Sequence, residues 1–407
     1  MTLLGSVSLP DSDPWTWHLR LGHRNLSDIR RAIRLNLIID IPFEMLMNRN
    51  KVRSICDACA RSKSTKYTGR TMVHQDVVKQ RGQRLNVTDI EDPESSDIDF
   101  VSDDEEAPEE DNEPHMSSRQ ASLLTLPVGR LRDLASAQPL VNTIPMMFTD
   151  IKGPFKVPGL HGEVYAQSFI EGKTKFLRRY YFQYKSEALK NLKHLLEVTL
   201  KSEQCRLLSY CSDGAPELIS RGCLALLAEH GSKFLYSPPY APKLNAVVER
   251  NHRTTFESAH AMLIHSLLPQ SLWTYAAEYA THIFNCLPTK TSSGYMSPYQ
   301  ARYGMVPDVS HLRMWGCLCY CHIPAATRSK GFIDKSYKAY FLGIEISIQA
   351  YTVWYIEKSH VKISSDVQFD EFTKLRLPEH VLVPVAPQTR NMNDFVHLVG
   401  MVYRDDD

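Results

Sequence analysis

The chain has 407 residues, 43% of them hydrophobic, and sets 47 Lys and Arg against 46 Asp and Glu for a formal charge of +1. That length allows two or three folded domains with proper cores, and nine scattered cysteines, an odd number, speak for reduced thiols rather than a disulfide framework. No run approaches the ~18–20 apolar residues of a membrane span, and the opening Met1-Thr-Leu-Leu-Gly-Ser-Val lacks the basic start of a secretory signal.

After a short tail, 1–13, the first domain is expected over 14–68, built around His18, His23, Cys56 and Cys59. A Cys-x2-Cys knuckle presents two thiolates to one ion, so tetrahedral Zn²⁺ with two nitrogen and two sulfur ligands is feasible; unligated core residues are the alternative. Leu26, Ile29, Ile33 and Leu37 follow helical spacing and give a core too small to stand alone, which supplies a structural reason for a metal. The basic stretch from Arg61 to Tyr67 suits phosphate contacts or plain solvated surface.

The segment 69–140 reads as a linker. Within it, residues 89–113 hold fourteen acids and no Lys or Arg, a composition expected to stay disordered, either as a solvated spacer or as a DNA mimic over a basic groove. Setting those acids aside leaves 32 against 47 basic residues, a balance of +15, the sign of a nucleic-acid binder.

From 141 to 309 the pattern is β-β-β-α-β-α-β-α. An apolar run ends at Asp150, before Gly153-Pro154; Glu163–Glu171 and Lys175–Lys185 read as a hairpin, and Ser186–Glu203 as an amphipathic helix. Asp213 closes another strand before Gly214, a helix passes through Cys223, Leu226 and Leu227, Lys233–Ser237 is a strand, and a long helix starts after Pro242. Other α/β enzymes share such an order, so the acids must decide.

Two strand ends and one helix can bring Asp150, Asp213 and Glu249 together, as two divalent ions require for phosphodiester chemistry, because hard Mg²⁺ or Mn²⁺ prefers oxygen ligands. Among 46 acids, arbitrary triples are also common. On the last helix Lys243, Arg250 and Arg253 accompany Glu249; they are read either as phosphate contacts or, for Glu249 and Arg253, as an i, i+4 surface pair. Residues 310–372 give β-rich runs, with Cys317, Cys319 and Cys321 alternating onto one strand face as buried small side chains or as a second metal site. A tail, 373–407, follows.

Four blocks in this order and spacing resemble the integrase of copia-type LTR retrotransposons: Trp17 to His23 with Cys56-Asp57-Ala58-Cys59; Thr149 to Pro154; Ser212-Asp213 with Asn245 to Arg250; and His311 to Cys317. The resemblance implies an α/β chain with an RNase H-like integrase core, an N-terminal helical HHCC zinc domain and a C-terminal small SH3-like β-barrel. It implies that Asp150, Asp213 and Glu249 hold two catalytic Mg²⁺ or Mn²⁺ ions, that His18, His23, Cys56 and Cys59 hold a structural Zn²⁺, and that Lys243, Arg250 and Arg253 face DNA. Strand transfer of element cDNA into chromosomal DNA, a homo-oligomer, and nuclear action after synthesis in the cytoplasm follow from the same resemblance, although no compact Lys/Arg import run is present.

Two departures stand out. Asp213 is followed by Gly214-Ala215-Pro216-Glu217-Leu218 where the family usually has Asn-Gly-Gly-Glu-Phe, and Ala246 replaces a common glycine before Glu249. A DNA-binding module with dead chemistry is therefore the alternative. No reverse-transcriptase, Gag or protease region is recognisable after Phe372, so the chain reads as an integrase-sized piece of a Pol polyprotein or a gene derived from one.

Overall fold

Asp13 starts the first helix, α1 (Pro14–Arg20), by accepting the Trp15 amide through Oδ1 at 3.2 Å, and Pro14 follows at the position that needs no amide partner. Gly22 and His23, both at positive φ, then turn the chain, and Asn25 caps α2 (Leu26–Arg34) through the Ser27 amide. The computed structural model describes residues 13–38, 41, 56–63, 128–129, 138–236, 242–324, 326, 328, 334–346 and 348–371. The N-terminal tail through residue 12, the acidic run 89–113 and everything beyond Glu371 lie outside these. Helix α3 (Asp57–Ser62) follows directly on Cys56 and carries Cys59.

Ile29, Ala32 and Ile33 line the buried face of α2, but they do not form a separate core. Together with Trp17, Leu19 and Leu21 they join one apolar cluster that includes Met262, Ala276, Ile283, Trp315 and Phe341. Each large side chain so buried contributes ~1.5–3 kcal/mol, and these short helices reach that burial by sharing the interior of the rest of the unit.

The central sheet is built from β1 (Met147–Lys152), β2 (Tyr165–Glu171), β3 (Leu177–Phe182), β4 (Ser209–Ser212) and β5 (Lys233–Tyr236). Its spatial order is β3-β2-β1-β4-β5, with β1, β2 and β3 antiparallel neighbours and β4 and β5 added in parallel. This is the RNase H-like arrangement. The crossover from β3 to β4 is helical: a 3₁₀ turn, α4 (Ala188–His194), and a wider π turn, Leu195–Leu200, whose Leu192, Leu195, Leu196 and Leu200 pack on the sheet. Helix α5 (Arg221–Glu229), capped by Ser220, joins β4 to β5. The long helix α6 (Pro242–Ser266) and α7 (Trp273–Cys286) pack against each other, and α8 (Pro298–Tyr303) completes the unit.

Past Trp315 the chain forms β6 (Leu318–His322), β7 (Ser336–Glu345), β8 (Ala350–Tyr355), β9 (His360–Ser364) and β10 (Val367–Asp370). They make an antiparallel five-stranded sheet in the order β9-β8-β7-β6-β10. The cysteines divide here. Cys319 and Cys321 share a buried cluster with Ala339 and Val353, whereas Cys317 precedes the strand, just after the turn at Gly316, and packs into the main core.

Candidate active site and zinc centre

Strand β1 is buried through Met147, Phe148 and Thr149 and emerges at Asp150. Phe148 pairs with Cys211 on the parallel neighbour β4, so two residues further along both strands stand Asp150 and Asp213. Gly214 follows Asp213 at φ 83°, and the Asp213 carboxylate accepts the Ala215 amide at 3.1 Å, fixing the turn. Pro216 fits because the turn bonds run from Leu218 and Ile219 to the Ala215 carbonyl and need no amide at 216. Glu249 comes from α6. Val248 packs into the cluster of Phe148, Ile170, Leu177 and Cys211, which seats this part of the helix over the ends of β1 and β4. The buried stripe continues through His252, Thr255, Ala259 and Met262, leaving Glu249, Arg250 and Arg253 exposed. Lys243 opens the helix, and its side chain lies outside the described residues.

Asp150 feels the other two acids. Burial first, then the charges of Asp213 and Glu249, push the Asp150 carboxyl up to about 6, against the Ile151 amide, which Oδ1 accepts at 2.7 Å, and the nearby Lys152. Such concentrated negative charge suits divalent cations with oxygen preference. His252 Nδ1 lies 3.8 Å from Asp150 Oδ2, and burial with Arg179 and Lys152 holds its imidazole neutral, pushed down to about 2. Arg179, in register with Ser168 and hence with Asp150 across three strands, donates to Ser168, Thr281 and Thr255 at 3.0, 3.1 and 2.7 Å. The Thr255 bond ties α6 to the sheet.

At the second centre the ligand atoms of His18, His23, Cys56 and Cys59 all lie within 4.8 Å of one another. Cys56 Sγ is 3.4 Å from His23 Nδ1, and Cys59 Sγ is 3.5 Å from His18 Nε2 and 3.7 Å from His23 Nδ1. Tetrahedral zinc bonds of about 2.0–2.3 Å place ligand atoms at such separations. His18 Nδ1 is 2.8 Å from the Arg24 carbonyl; donating there presents Nε2 to an ion. Burial lowers His18, takes His23 down to about 2 and lifts the Cys59 thiol to about 12, a donor set whose thiolates need a cation to be stable here.

Residues 3–64 match the GAG-pre-integrase domain family, and residues 317–381 match the retroviral polymerase SH3-like domain family. Over 206 residues, half of the chain, 32% are identical to the retrovirus-related Pol polyprotein from transposon RE1 of Arabidopsis thaliana. Over half of its length the chain is similar to copia-type, retrovirus-related Pol polyproteins. A tobacco relative, the Pol polyprotein from transposon TNT 1-94 of Nicotiana tabacum, is 27% identical over 236 residues, 58% of the chain. The chain spans only 14% and 18% of these two relatives. The catalytic core domain of BIV integrase, a solved structure, is 18% identical, covers 39% of this chain with 92% of its own, and has a TM-score of 0.29.

The structure brings His18, His23, Cys56 and Cys59 together and places Asp150 within electrostatic reach of Asp213 and Glu249; the groups that orient these side chains were not picked out from the sequence. Lys63 of the basic stretch turns inward and donates to the His23 carbonyl at 2.7 Å; Arg61 pairs with Asp57 at 3.4 Å, and 64–67 lie outside the described residues. His252 carries a local signal, three residues past Glu249 on the same helix. Arg179 carries none, since its partners Thr255 and Thr281 are 76 and 102 residues away.

Proposed function

We propose that the chain is an integrase-type polynucleotidyl transferase acting on DNA, with Asp150, Asp213 and Glu249 as its metal-holding acids. The observation that supports this reading is that Asp150 and Asp213 stand at the ends of neighbouring parallel strands, with Asp150 within electrostatic reach of both Asp213 and Glu249. Asp150, Asp213 and Glu249 would hold two divalent ions, which would supply activation of an attacking hydroxyl and stabilisation of the departing oxygen. The chain's own residues orient this cluster: the Ile151 and Ala215 amides fix Asp150 and Asp213, and Val248 and Thr255 seat the helix bearing Glu249. Arg250 and Arg253, exposed on that helix, meet DNA phosphates, and Lys243 near its start belongs to the same proposed contact set. Zn²⁺ at His18, His23, Cys56 and Cys59 is structural. Work in the nucleus on element ends and chromosomal DNA, as a homo-oligomer, belongs to this reading.

The deciding experiment is Mn²⁺- or Mg²⁺-dependent resolution of a branched strand-transfer intermediate by the purified chain and by Asp213→Asn. Product from the parent alone supports the transferase. Absence of product from a folded parent that still binds DNA in a salt-sensitive way would replace it with an inactive DNA-binding module.

A further inference from the structure

The zinc module does not hang from the core; it sits on α6. Ser258 Oγ of α6 donates to the Gly22 carbonyl at 2.7 Å, and a Cβ at Gly22 would stand 2.5 Å from that oxygen and 3.3 Å from Ile283 Cδ1. His23, a zinc-ligand candidate, packs edge-on against His265 near the end of α6, with ring centroids 5.3 Å apart. Two further contacts hold the module from other sides: Arg31 stacks on Tyr295 at 4.4 Å, and Arg20 binds Glu371 at 2.5 Å, whose carboxylate also accepts the Met314 amide.

Lys63 lies at the middle of this seat. Its Nζ holds the His23 carbonyl, and it is within Coulombic reach of Cys56 and Cys59 on one side and of Glu257 on α6 on the other. Glu257 in turn faces Lys152, which faces Asp150. Lys63 and Lys152, each also beside an arginine (Arg24 and Arg179), thus share Glu257 of α6 as a common acidic neighbour between the His/Cys centre and Asp150.

We propose that the His18, His23, Cys56 and Cys59 centre acts in cis as a clamp on α6, holding the stretch 254–266 and through it the placement of Glu249, with Lys63 as the coupling residue. The link to Glu249 rests on the function proposed above. An ion fixing the two histidines and two cysteines fixes the 22–23 turn and α3 together, and these are the parts that touch α6. Losing it frees the inner face of the helix rather than the sheet.

Hydrogen exchange on the full chain tests the clamp. In the zinc-loaded parent the α6 amides 254–266 exchange slowly. In Cys59→Ser they exchange about tenfold faster, the response to ~1.4 kcal/mol of lost local stabilisation. Lys63→Gln keeps all four ligands and one zinc by elemental analysis; it moves α6 exchange in the same direction by a smaller factor, and Lys63→Arg restores it. Parent-like α6 exchange in Lys63→Gln overturns the proposal, as does a Cys59→Ser chain in which only residues 14–38 loosen. If Cys59→Ser does not fold, the two Lys63 variants decide. Mn²⁺ bound only when Asp213 is intact, counted by electron paramagnetic resonance, reads the carboxylate site separately. Zinc-dependent α6 exchange without such Mn²⁺ keeps the clamp and removes the catalytic reading; the reverse result removes the clamp alone.

Discussion

Gly214→Ala tests the turn that aims Asp213. Gly214 has φ 83°, where an L side chain costs ~1–2 kcal/mol. An added Cβ would also lie 2.3 Å from Tyr236 Cε2 and 3.1 Å from Cζ, so the ring must leave its place over the turn. Tyr236 is 51% exposed at the end of edge strand β5, so it can swing out at a cost of ~1 kcal/mol in off-rotamer strain and lost contact. The two effects sum to about 2–3 kcal/mol, concentrated at Asp213. Pairing Gly214→Ala with Tyr236→Ala removes the collision but not the backbone strain, so the double variant should recover about 1 kcal/mol relative to Gly214→Ala. Local exchange of the 213–219 amides, with Mn²⁺ affinity at the carboxylates, reads both steps. A Gly214→Ala chain within ~0.5 kcal/mol of the parent, or a double variant no better than the single, would refute the reasoning. The same φ accounts for the departure noted in the sequence: glycine and asparagine are the residues that tolerate this conformation, so Gly214 in place of a family asparagine preserves the turn.

Arg302 lies 2% exposed between Glu171 and Glu203, which Arg178 also binds, closing a four-member buried network between β2, β3, the end of the crossover helix and α8. Arg302→Leu strands a buried carboxylate and is expected to cost about 3–5 kcal/mol in urea unfolding; adding Glu171→Gln should return part of it, and a single-variant loss below ~1 kcal/mol would count against the network. Burial, opposed by Arg179 and by the Tyr181 hydroxyl, pushes Glu278 from 4.5 up to about 7. The folded chain therefore binds that proton more tightly than the unfolded one, and this contribution to stability is full below about 4.5 and is lost as pH rises through about 7. Melting temperature should fall from pH 5 to 8 in the parent and fall less in Glu278→Gln; equal slopes would exclude Glu278 as the source.

The order of strands and helices was legible because buried strands read as apolar runs with clear stops, such as the run ending at Asp150 before Gly153-Pro154 and the one ending at Asp213 before Gly214. The His/Cys set was partly legible: the Cys-x2-Cys knuckle with distant histidines left unligated core residues open, and the resemblance of the Trp17 to His23 block favoured a metal site. What stayed hidden depends on distant partners. Arg302 meets Glu171 across 131 residues and Arg179 meets Thr281 across 102, and no local period signals either. Lys63 looks like one more basic surface residue in Arg61-Ser-Lys until the His23 carbonyl turns it inward. Alternation put Cys317, Cys319 and Cys321 on one face, but the strand starts only at Leu318, after the turn at Gly316, so Cys317 escapes that pattern. The sequence also read the module at 14–68 as having its own small core, whereas the interior of α1 and α2 runs on into that of α6 and α7.

The three acids are held by unequal means. Asp150 and Asp213, sixty-three residues apart in sequence, are neighbours because β1 and β4 share ladder hydrogen bonds, and every bond of that ladder fixes both. Glu249 has no ladder. Its place depends on side chains along α6: Val248 in the Phe148 cluster, Thr255 on Arg179, and Ser258 on Gly22 of the His/Cys module. Helix seats of this kind shift by fractions of an ångström when one contact is trimmed, whereas a strand pair holds register or separates. Substitutions on the buried stripe of α6, such as Thr255→Val or Ser258→Ala, should thus weaken divalent-ion binding at the carboxylates before they lower global stability. Changes inside β1 or β4, such as Phe148→Ala, should do the opposite, losing about 3–5 kcal/mol of folding free energy as ion binding fails. Ion binding and unfolding measured on the same variants separate the two orders, and a common order for both groups would mean that Glu249 is fixed as rigidly as the strand acids.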